Sequence, residues 1–314
     1  METPPILVST WEDGVFSITG ETVRQDLAGQ SVRSLAPDGR GGVLAIVGGR
    51  SLYRRSPDGE WTGLAESKTA LSCCVPVGDV VFAGTDDARI LRLDPNGAQR
   101  WLTGFDTVEG RESWYAGAAM VDGVLMGPPL GVRSMTATCD GGALLANVHV
   151  GGVPRSTDGG ASWRPTLDIE SDVHQVRAHP IRPELAIAAA AVGLCTSRDG
   201  GASWALEQRG LHAPHCSAVA FGREHVFVSA SVDPFSAQGA VYRRRIESDG
   251  PLQPLGGGMP EWTDGKVDTD CIASRGSVVA MIDMSGRIYL SRDDGETWAF
   301  RADRMPMPSG LCIC

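Results

Sequence analysis

The sequence has few lysines, few aromatic residues and no long apolar run. Lys68 and Lys266 are the only lysines, and Asp plus Glu outnumber Lys plus Arg by 38 to 28, which gives a formal net charge of -10. A chain without a basic face is poorly suited to bind nucleic acid or an anionic membrane. No segment approaches the ~18 consecutive apolar residues of a membrane helix, and the first residues lack a secretory signal pattern. We therefore expect a cytoplasmic protein that binds neither nucleic acid nor membrane.

Cysteine pairs with metal-ligand spacing are also missing. The chain has 8 Cys in 314 residues and no Cys-x-x-Cys pair, so the sequence predicts buried, reduced thiols rather than a disulfide framework. The 42% hydrophobic content is too high for disorder, and 40 Gly with 19 Pro indicate many strands and turns. The composition therefore favours a globular all-β protein.

One eight-residue pattern, Ser-x-Asp-x-Gly-x-Ser/Thr-Trp, occurs three times. The copies are 156–163, 197–204 and 291–298, with weaker copies at 56–61, 94–97 and 242–250. Asp158 and Asp199 are 41 residues apart, and Asp199 and Asp293 are 94 apart, which is twice 47. A period of this length is typical of propeller blades.

This pattern resembles the Asp-box of the BNR repeat, which occurs in sialidase-like β-propellers, and the resemblance covers nearly the whole chain. It implies that each copy is a turn between the two outer strands of a blade. The Asp and Ser side chains would accept bonds from turn amides, Gly would take the positive φ, and Trp would pack between strands. The aspartates of the boxes are therefore expected to be structural rather than catalytic.

The number of blades follows from the short apolar strand before each copy of the pattern. The intervals between these strands are 37, 38, 63, 41, 47 and 47 residues. The interval of 63 is too long for one blade and too short for two, so we interpret residues 105–131 as an insertion. The sequence predicts one domain, 1–314, that forms a seven-bladed β-propeller. The seven strands begin at Val15, Leu52, Ile90, Val153, Leu194, Val241 and Ile288.

The first blade lacks an innermost strand in the N-terminal part of the chain. Residues 309–314 resemble the inner strands at 69–74 and 269–273. We expect this C-terminal segment to pair with Ile6–Thr10, which closes the ring and removes an exposed sheet edge.

Three histidines have similar topological positions in successive blades. His149 ends a second strand, and His174 and His215 start inner strands, so all three are expected at the mouth of the central channel, opposite the repeated turns. Imidazoles around a narrow channel are suited to a divalent transition metal such as Zn, Fe or Mn. Asp172 or Asp270 would orient these ligands or act as a catalytic base. The alternative is that these histidines only bond to neighbouring blades and that the protein has no cofactor.

Other residues of the same face are candidates for contact with a substrate. Tyr115 lies in the insertion, which would form a lid, a specificity wall or an ordinary surface loop, and we count this tyrosine among the candidate catalytic residues. The candidate substrate-binding residues are Arg33, Trp262 and Glu12. His179 and His225 follow turn patterns and are expected to face solvent.

The leading functional hypothesis is a metal-assisted hydrolase or lyase that acts on a small polar metabolite. The alternatives are a non-catalytic propeller that binds a protein or ligand, and a sialidase-like glycosidase. A sialidase needs an arginine triad and a tyrosine nucleophile. The Arg-Ile-Pro motif is absent, and Tyr53, Tyr242 and Tyr289 are repeat positions, which leaves Tyr115. A cysteine nucleophile, Cys216 beside His215, is a third alternative, but adjacent residues of a strand point to opposite faces.

Overall fold

The computed structural model describes residues 4–117, 119–121, 124–126 and 130–314. Seven antiparallel sheets of at least four strands form the seven blades of a β-propeller. The first three blades comprise β1 to β3, β4 to β7 and β8 to β11. These strands are β1 (Ile6–Thr10), β2 (Val15–Thr19), β3 (Thr22–Asp26), β4 (Val32–Pro37), β5 (Val43–Val47), β6 (Ser51–Arg55), β7 (Trp61–Glu66), β8 (Leu71–Val77), β9 (Val80–Thr85), β10 (Ile90–Leu93) and β11 (Gln99–Trp101).

Two short helices and a hairpin lie between the third and fourth blades, in the predicted insertion. The helices are 3-10 turns at Phe105–Thr107 and Arg111–Ser113. The hairpin pairs β12 (Ala119–Val121) with β13 (Val124–Met126). A third 3-10 turn, Ile169–Ser171, precedes the fifth blade.

The remaining blades comprise β14 to β17, β18 to β21, β22 to β25 with β26, and β27 to β30. A final strand belongs to the first blade. These strands are β14 (Val132–Ala137), β15 (Leu144–Val148), β16 (Pro154–Ser156), β17 (Arg164–Pro165), β18 (Val173–Ala178), β19 (Ala186–Ala190), β20 (Gly193–Ser197), β21 (Ala205–Glu207), β22 (His215–Phe221), β23 (His225–Ser231), β24 (Gln238–Arg245), β25 (Gln253–Pro254), β26 (Thr263–Asp264), β27 (Ile272–Arg275), β28 (Val278–Ile282), β29 (Ile288–Ser291), β30 (Ala299–Ala302) and β31 (Pro308–Ile313).

The inner strands form a closed ring around the channel. Each of β4, β8, β14, β18, β22 and β27 contacts the next, and β31 contacts both β27 and β4. Strand β31 pairs antiparallel with β1, with Val8 opposite Leu311 and Ile6 opposite Ile313. The first blade therefore contains strands from both ends of the sequence.

The hydrophobic core lies between adjacent blades. One cluster joins the sixth, seventh and first blades, and includes Phe227, Met281 and Ile6, which are each 1% exposed or less. Trp298, at the end of the third repeated turn, packs edge-to-face on Phe227 with ring centroids 6.3 Å apart. Since both residues are buried, this contact joins the last two blades by apolar burial.

The repeated turns are held by their own side chains. In the copy at 197–204, the Asp199 carboxylate accepts bonds from the backbone and the hydroxyl of Ser203, at 2.9 and 2.6 Å, and from the Ala202 amide at 2.9 Å. Gly201 has φ +81°, and a Cβ there would lie 2.6 Å from Leu145 of the preceding blade. Only glycine fits this position, both for its left-handed backbone and for the close approach of the two blades.

Replacing Asp199 with alanine is expected to lower the free energy of unfolding by ~1 kcal/mol, because several turn donors exchange a charged acceptor for water. Urea denaturation measures this loss. Asp58→Ala is the matched control, since the Asp58 carboxylate of the shortened copy accepts no hydrogen bond from any described residue; it should change stability by less than ~0.5 kcal/mol. Equal effects of the two substitutions would contradict a structural role for Asp199.

Candidate metal centre

The mouth of the channel opposite the repeated turns brings three imidazoles together. The ring centroids of His149 and His174 are 5.6 Å apart, and those of His174 and His215 are 4.6 Å apart. All three side chains are buried. His149 follows β15, His174 lies in β18 and His215 starts β22, so consecutive blades supply the cluster.

The tightest set of ligand atoms includes a carboxylate in place of the third predicted histidine. Atoms of His149, Asp172 and His174 lie within 4.8 Å of one another. Asp172 Oδ1 is 3.1 Å from His149 Nε2 and 3.8 Å from His174 Nε2. Among the described residues His215 is outside this set, because its ring adjoins only His174 closely. The structure therefore adds the Asp172 carboxylate to His149 and His174 in this cluster of ligand atoms, and the His215 ring lies next to His174.

The hydrogen bond of His174 determines its tautomer. Its Nδ1 lies 2.6 Å from the Cys216 carbonyl oxygen, which can only accept, so Nδ1 carries the proton. Burial, and then the positive charge of Arg133, lower the pKa of His174 to about 3. At neutral pH the ring is uncharged, and its Nε2 presents a lone pair to the channel mouth.

Asp172 faces this lone pair with an unpaired oxygen. Its Oδ1 is buried and accepts no hydrogen bond of acceptable geometry within the described part of the chain. Burial raises the pKa of Asp172. His149, His174 and the charge of Arg133 lower this pKa by a larger amount, so the net shift is a decrease. Two acceptors, His174 Nε2 and the anionic Asp172 Oδ1, are thus 3.8 Å apart, and His149 Nε2 lies 3.1 Å from the same carboxylate oxygen.

His149 is held in a different tautomer by the insertion. The Gly117 amide donates to His149 Nδ1 at 3.1 Å, so the proton of the neutral ring is on Nε2, beside Asp172. A Cβ on residue 117 would lie 2.2 Å from His149 Cε1, so only glycine permits this approach. His149 can coordinate a metal through Nε2 only after this bond to Gly117 is lost.

Asp270 lies outside the ligand set, contrary to its predicted role beside the histidines. Gln175 Nε2 donates to its carboxylate at 2.7 Å, and Arg177 forms an ion pair with it. Asp270 lines a cavity of about 940 Å³ at the other end of the channel. Its charge is compensated there by Arg177.

The other predicted site residues make no described contact with the three ligands. Arg33 pairs with Asp86 at 3.2 Å and donates to the Leu71 carbonyl. Trp262 is 38% exposed and Tyr115 is 52% exposed. Glu12 is exposed in the loop after β1. These residues belong to the strand starts and loops around the mouth rather than to its centre.

Two further histidines differ from the sequence expectation. His179 and His225 were expected to face solvent, but they are only 3% and 7% exposed. His179 Nδ1 accepts bonds from the Ile181 and Arg182 amides, and His225 Nδ1 lies 2.7 Å from Asp294. Both rings therefore stabilise turns at the opposite end of the blades.

Arg133 was not recognised in the sequence as a residue of the mouth. It lies at a β-bulge, since Val132 pairs with Val148 and Ser134 with Asn147, so that Arg133 has no partner in the register. The bulge in β18 leaves His174 unpaired in the same way. One sequence signal could have identified Arg133: the tripeptide Val-Arg-Ser occurs at 132–134 and also at 32–34, where it contains the predicted site residue Arg33.

The fold has structural relatives, whereas neither a protein-family model nor a curated protein sequence matches the chain. The crystal structure of the RRP9 WD40 repeats is 13% identical with a TM-score of 0.63, and the alignment covers 99% of this chain and 88% of that chain. The structure of U3-55K is 12% identical with a TM-score of 0.61, covering 92% and 86% of the two chains. Similarity at this level of identity defines the class, a seven-bladed β-propeller.

An enzyme structure shares the same architecture over part of its length. The GH74 enzyme of Niastella koreensis is 13% identical with a TM-score of 0.57; the alignment covers 99% of this chain and 43% of that enzyme. Propellers of one architecture have unrelated functions, so this likeness supports the fold alone. Among the described residues, no helix has the length and apolar character required to cross a membrane.

Proposed function

We propose that this chain is a ligand-binding β-propeller whose channel mouth holds a divalent transition metal, Zn, Fe or Mn, between His174 and Asp172. The observation that carries the proposal is the pair of acceptors His174 Nε2 and Asp172 Oδ1, which are 3.8 Å apart, with Asp172 Oδ1 buried and without a hydrogen bond of good geometry among the described residues. A buried acceptor without a donor is costly, and a cation between the two atoms satisfies both.

The spacing of the ligand atoms fits this proposal. Ligands of a tetrahedral zinc ion at ~2.0–2.1 Å are about 3.3 Å from one another. The distance of 3.8 Å between His174 and Asp172 therefore needs to shorten by only a few tenths of an ångström. The Nδ1–H bond from His174 to the Cys216 carbonyl is the kind of outer contact that orients a metal-bound imidazole.

His149 is the proposed third ligand. Its Nε2 is 3.1 Å from Asp172, but it must exchange the Gly117 bond for the other tautomer before it coordinates. Three protein ligands leave a coordination position for water or for a bound molecule. Metal binding would therefore be coupled to release of His149 from the insertion.

Metal analysis tests the proposal on protein purified without chelator or affinity tag, followed by calorimetric titration of the EDTA-treated protein with Zn²⁺ and Mn²⁺ at pH 7. We expect one metal per chain and at least a 100-fold weaker affinity in Asp172→Asn, which removes the anionic ligand but keeps its shape. His212→Gln is the control, because His212 contacts Tyr242 and Trp262 rather than the ligand set. Absence of stoichiometric metal, or equal weakening in both variants, would refute the site.

A metal-assisted hydrolase or lyase acting on a small polar metabolite is the second candidate. It is favoured by the open coordination position and by the carboxylate of Asp172, which is available as a base. The general propeller fold favours binding without turnover. Turnover that disappears with EDTA and returns with metal would decide for the enzyme.

The finer interpretations from the sequence remain proposals of the same kind. The hydrogen bonds of Asp199 and its counterparts support their interpretation as Asp-boxes of the BNR type. The net charge of -10 supports a protein without nucleic-acid or membrane partners, and a cytoplasmic location is proposed with it.

A further inference from the structure

Arg133 is a cation at the channel mouth without a partner among the described residues. It occupies the bulge of β14, and the corresponding bulge of the neighbouring β18 holds His174. Bulges of this kind redirect a side chain and are common beside functional sites. The two bulged residues are close enough for the charge of Arg133 to lower the pKa of His174.

The environment of Arg133 differs from that of other arginines in the channel. Arg33 pairs with Asp86, and Arg177 pairs with Asp270. No described residue forms a hydrogen bond or ion pair with the Arg133 guanidinium. Burial lowers the pKa of Arg133, although Asp268, Asp172 and Asp270 act in the opposite direction. Arg133 is only partly buried, so a ligand at the mouth can reach its guanidinium and supply the hydrogen-bonded anion that the described residues do not supply.

We propose that the ligand of the channel mouth is a small planar monoanion and that Arg133 binds its carboxylate. The planar fork of a guanidinium matches the two oxygens of a carboxylate. A phosphate dianion is less suited, because Asp172 already places negative charge beside the site, whereas the charge of Asp268 is compensated by Lys266 at 3.1 Å. A carboxylate ligand adds detail to the proposed function, and this inference depends on that proposal only where the metal is concerned.

Arg133 also affects the metal. A positive side chain next to His174 and Asp172 repels a bare cation, whereas a carboxylate between them attracts both. The metal and the carboxylate should therefore bind cooperatively, each raising the affinity of the other by the same factor.

Thermal unfolding with sodium acetate as the probe, at constant ionic strength and with chloride and inorganic phosphate for comparison, tests the assignment. We expect acetate to raise the Tm of the native protein more than chloride or phosphate does, and we expect Arg133→Met to abolish this increase. Arg287→Met is the control, because Arg287 is an exposed arginine paired with Asp264 and should keep the full response.

Two further measurements separate this inference from the metal site. An acetate response that persists in EDTA without detectable metal binding would support Arg133 and refute the metal. Zinc binding with no acetate response, an equal response in Arg133→Met, or a larger response to phosphate would refute the Arg133 assignment. Arg133→Met removes a charge that has no described partner, so its Tm without anions should stay close to that of the native protein.

Discussion

Deletion of residues 309–314 is expected to abolish the native state. Leu311, Cys312 and Ile313 are at most 5% exposed, and burial of a Leu or Ile side chain contributes about 1.5–3 kcal/mol. The deletion also leaves the inner edge of β1 unpaired. These losses together approach the ~5–15 kcal/mol total stability of a typical domain. Circular dichroism and size-exclusion chromatography should show unfolded or aggregated protein.

A graded variant measures the same closure in a protein that still folds. Leu311→Ala should lower the free energy of unfolding by about 2–5 kcal/mol, since it creates a cavity between the first and last blades. Leu206→Ala is the control because Leu206 is 55% exposed; its effect should be within ~0.5 kcal/mol. A truncated protein with an unchanged Tm, or equal effects of the two leucine substitutions, would contradict the closure.

Asp294→Ala is expected to lower the free energy of unfolding by about 3–5 kcal/mol, because two backbone amides and the His225 ring lose their acceptor, at about 1–3 kcal/mol for each donor left unsatisfied. Asp294 is 7% exposed, and its carboxylate accepts bonds from the Arg223 and Glu224 amides at 2.7 and 2.8 Å and contacts His225 at 2.7 Å. It therefore links the third repeated turn to the turn between β22 and β23. Chemical denaturation measures the loss.

The adjacent Asp293 provides the control for Asp294. Within the described part of the chain, the Asp293 carboxylate accepts bonds from Thr297 and Ser291 of its own exposed turn. Its replacement by alanine should therefore cost only ~1 kcal/mol. If Asp294→Ala were no more destabilising than Asp293→Ala, the connection between blades would have no energetic importance.

The fold could be predicted from the sequence because its signals are local and repeated. The period of the turns and the apolar strands before them gave the seven blades, and the similarity of residues 309–314 to inner strands gave their pairing with β1. The links between blades were not accessible in this way. Asp294 and His225 are 69 residues apart, and no periodicity relates a carboxylate in one turn to an imidazole in another blade.

The candidate site was predictable by strand position but not in atomic detail. Strand position brought His149 and His174 to the same mouth. The sequence pattern named His215 as the third ligand and Asp172 as an orienting residue or base. A bulge shifts the register of a strand by one residue, so strand position alone does not reveal that Asp172 lies within 4.8 Å of the His149 and His174 ligand atoms. The tautomers of His149 and His174 depend on Gly117 and Cys216, which are distant in sequence. Arg133 was missed for the same reason, because the sequence does not show that this arginine lacks a partner among the described residues.

The pairing of β1 with β31 also determines when the protein can finish folding during its synthesis. Ser9 and Ser309, which bond to each other, are 300 residues apart. At the ~5–20 residues per second typical of translation, this separation corresponds to about 15–60 s between the appearance of the two strands. During that interval the inner edge of β1 is unpaired, and an unpaired strand edge is a template for pairing with other strands.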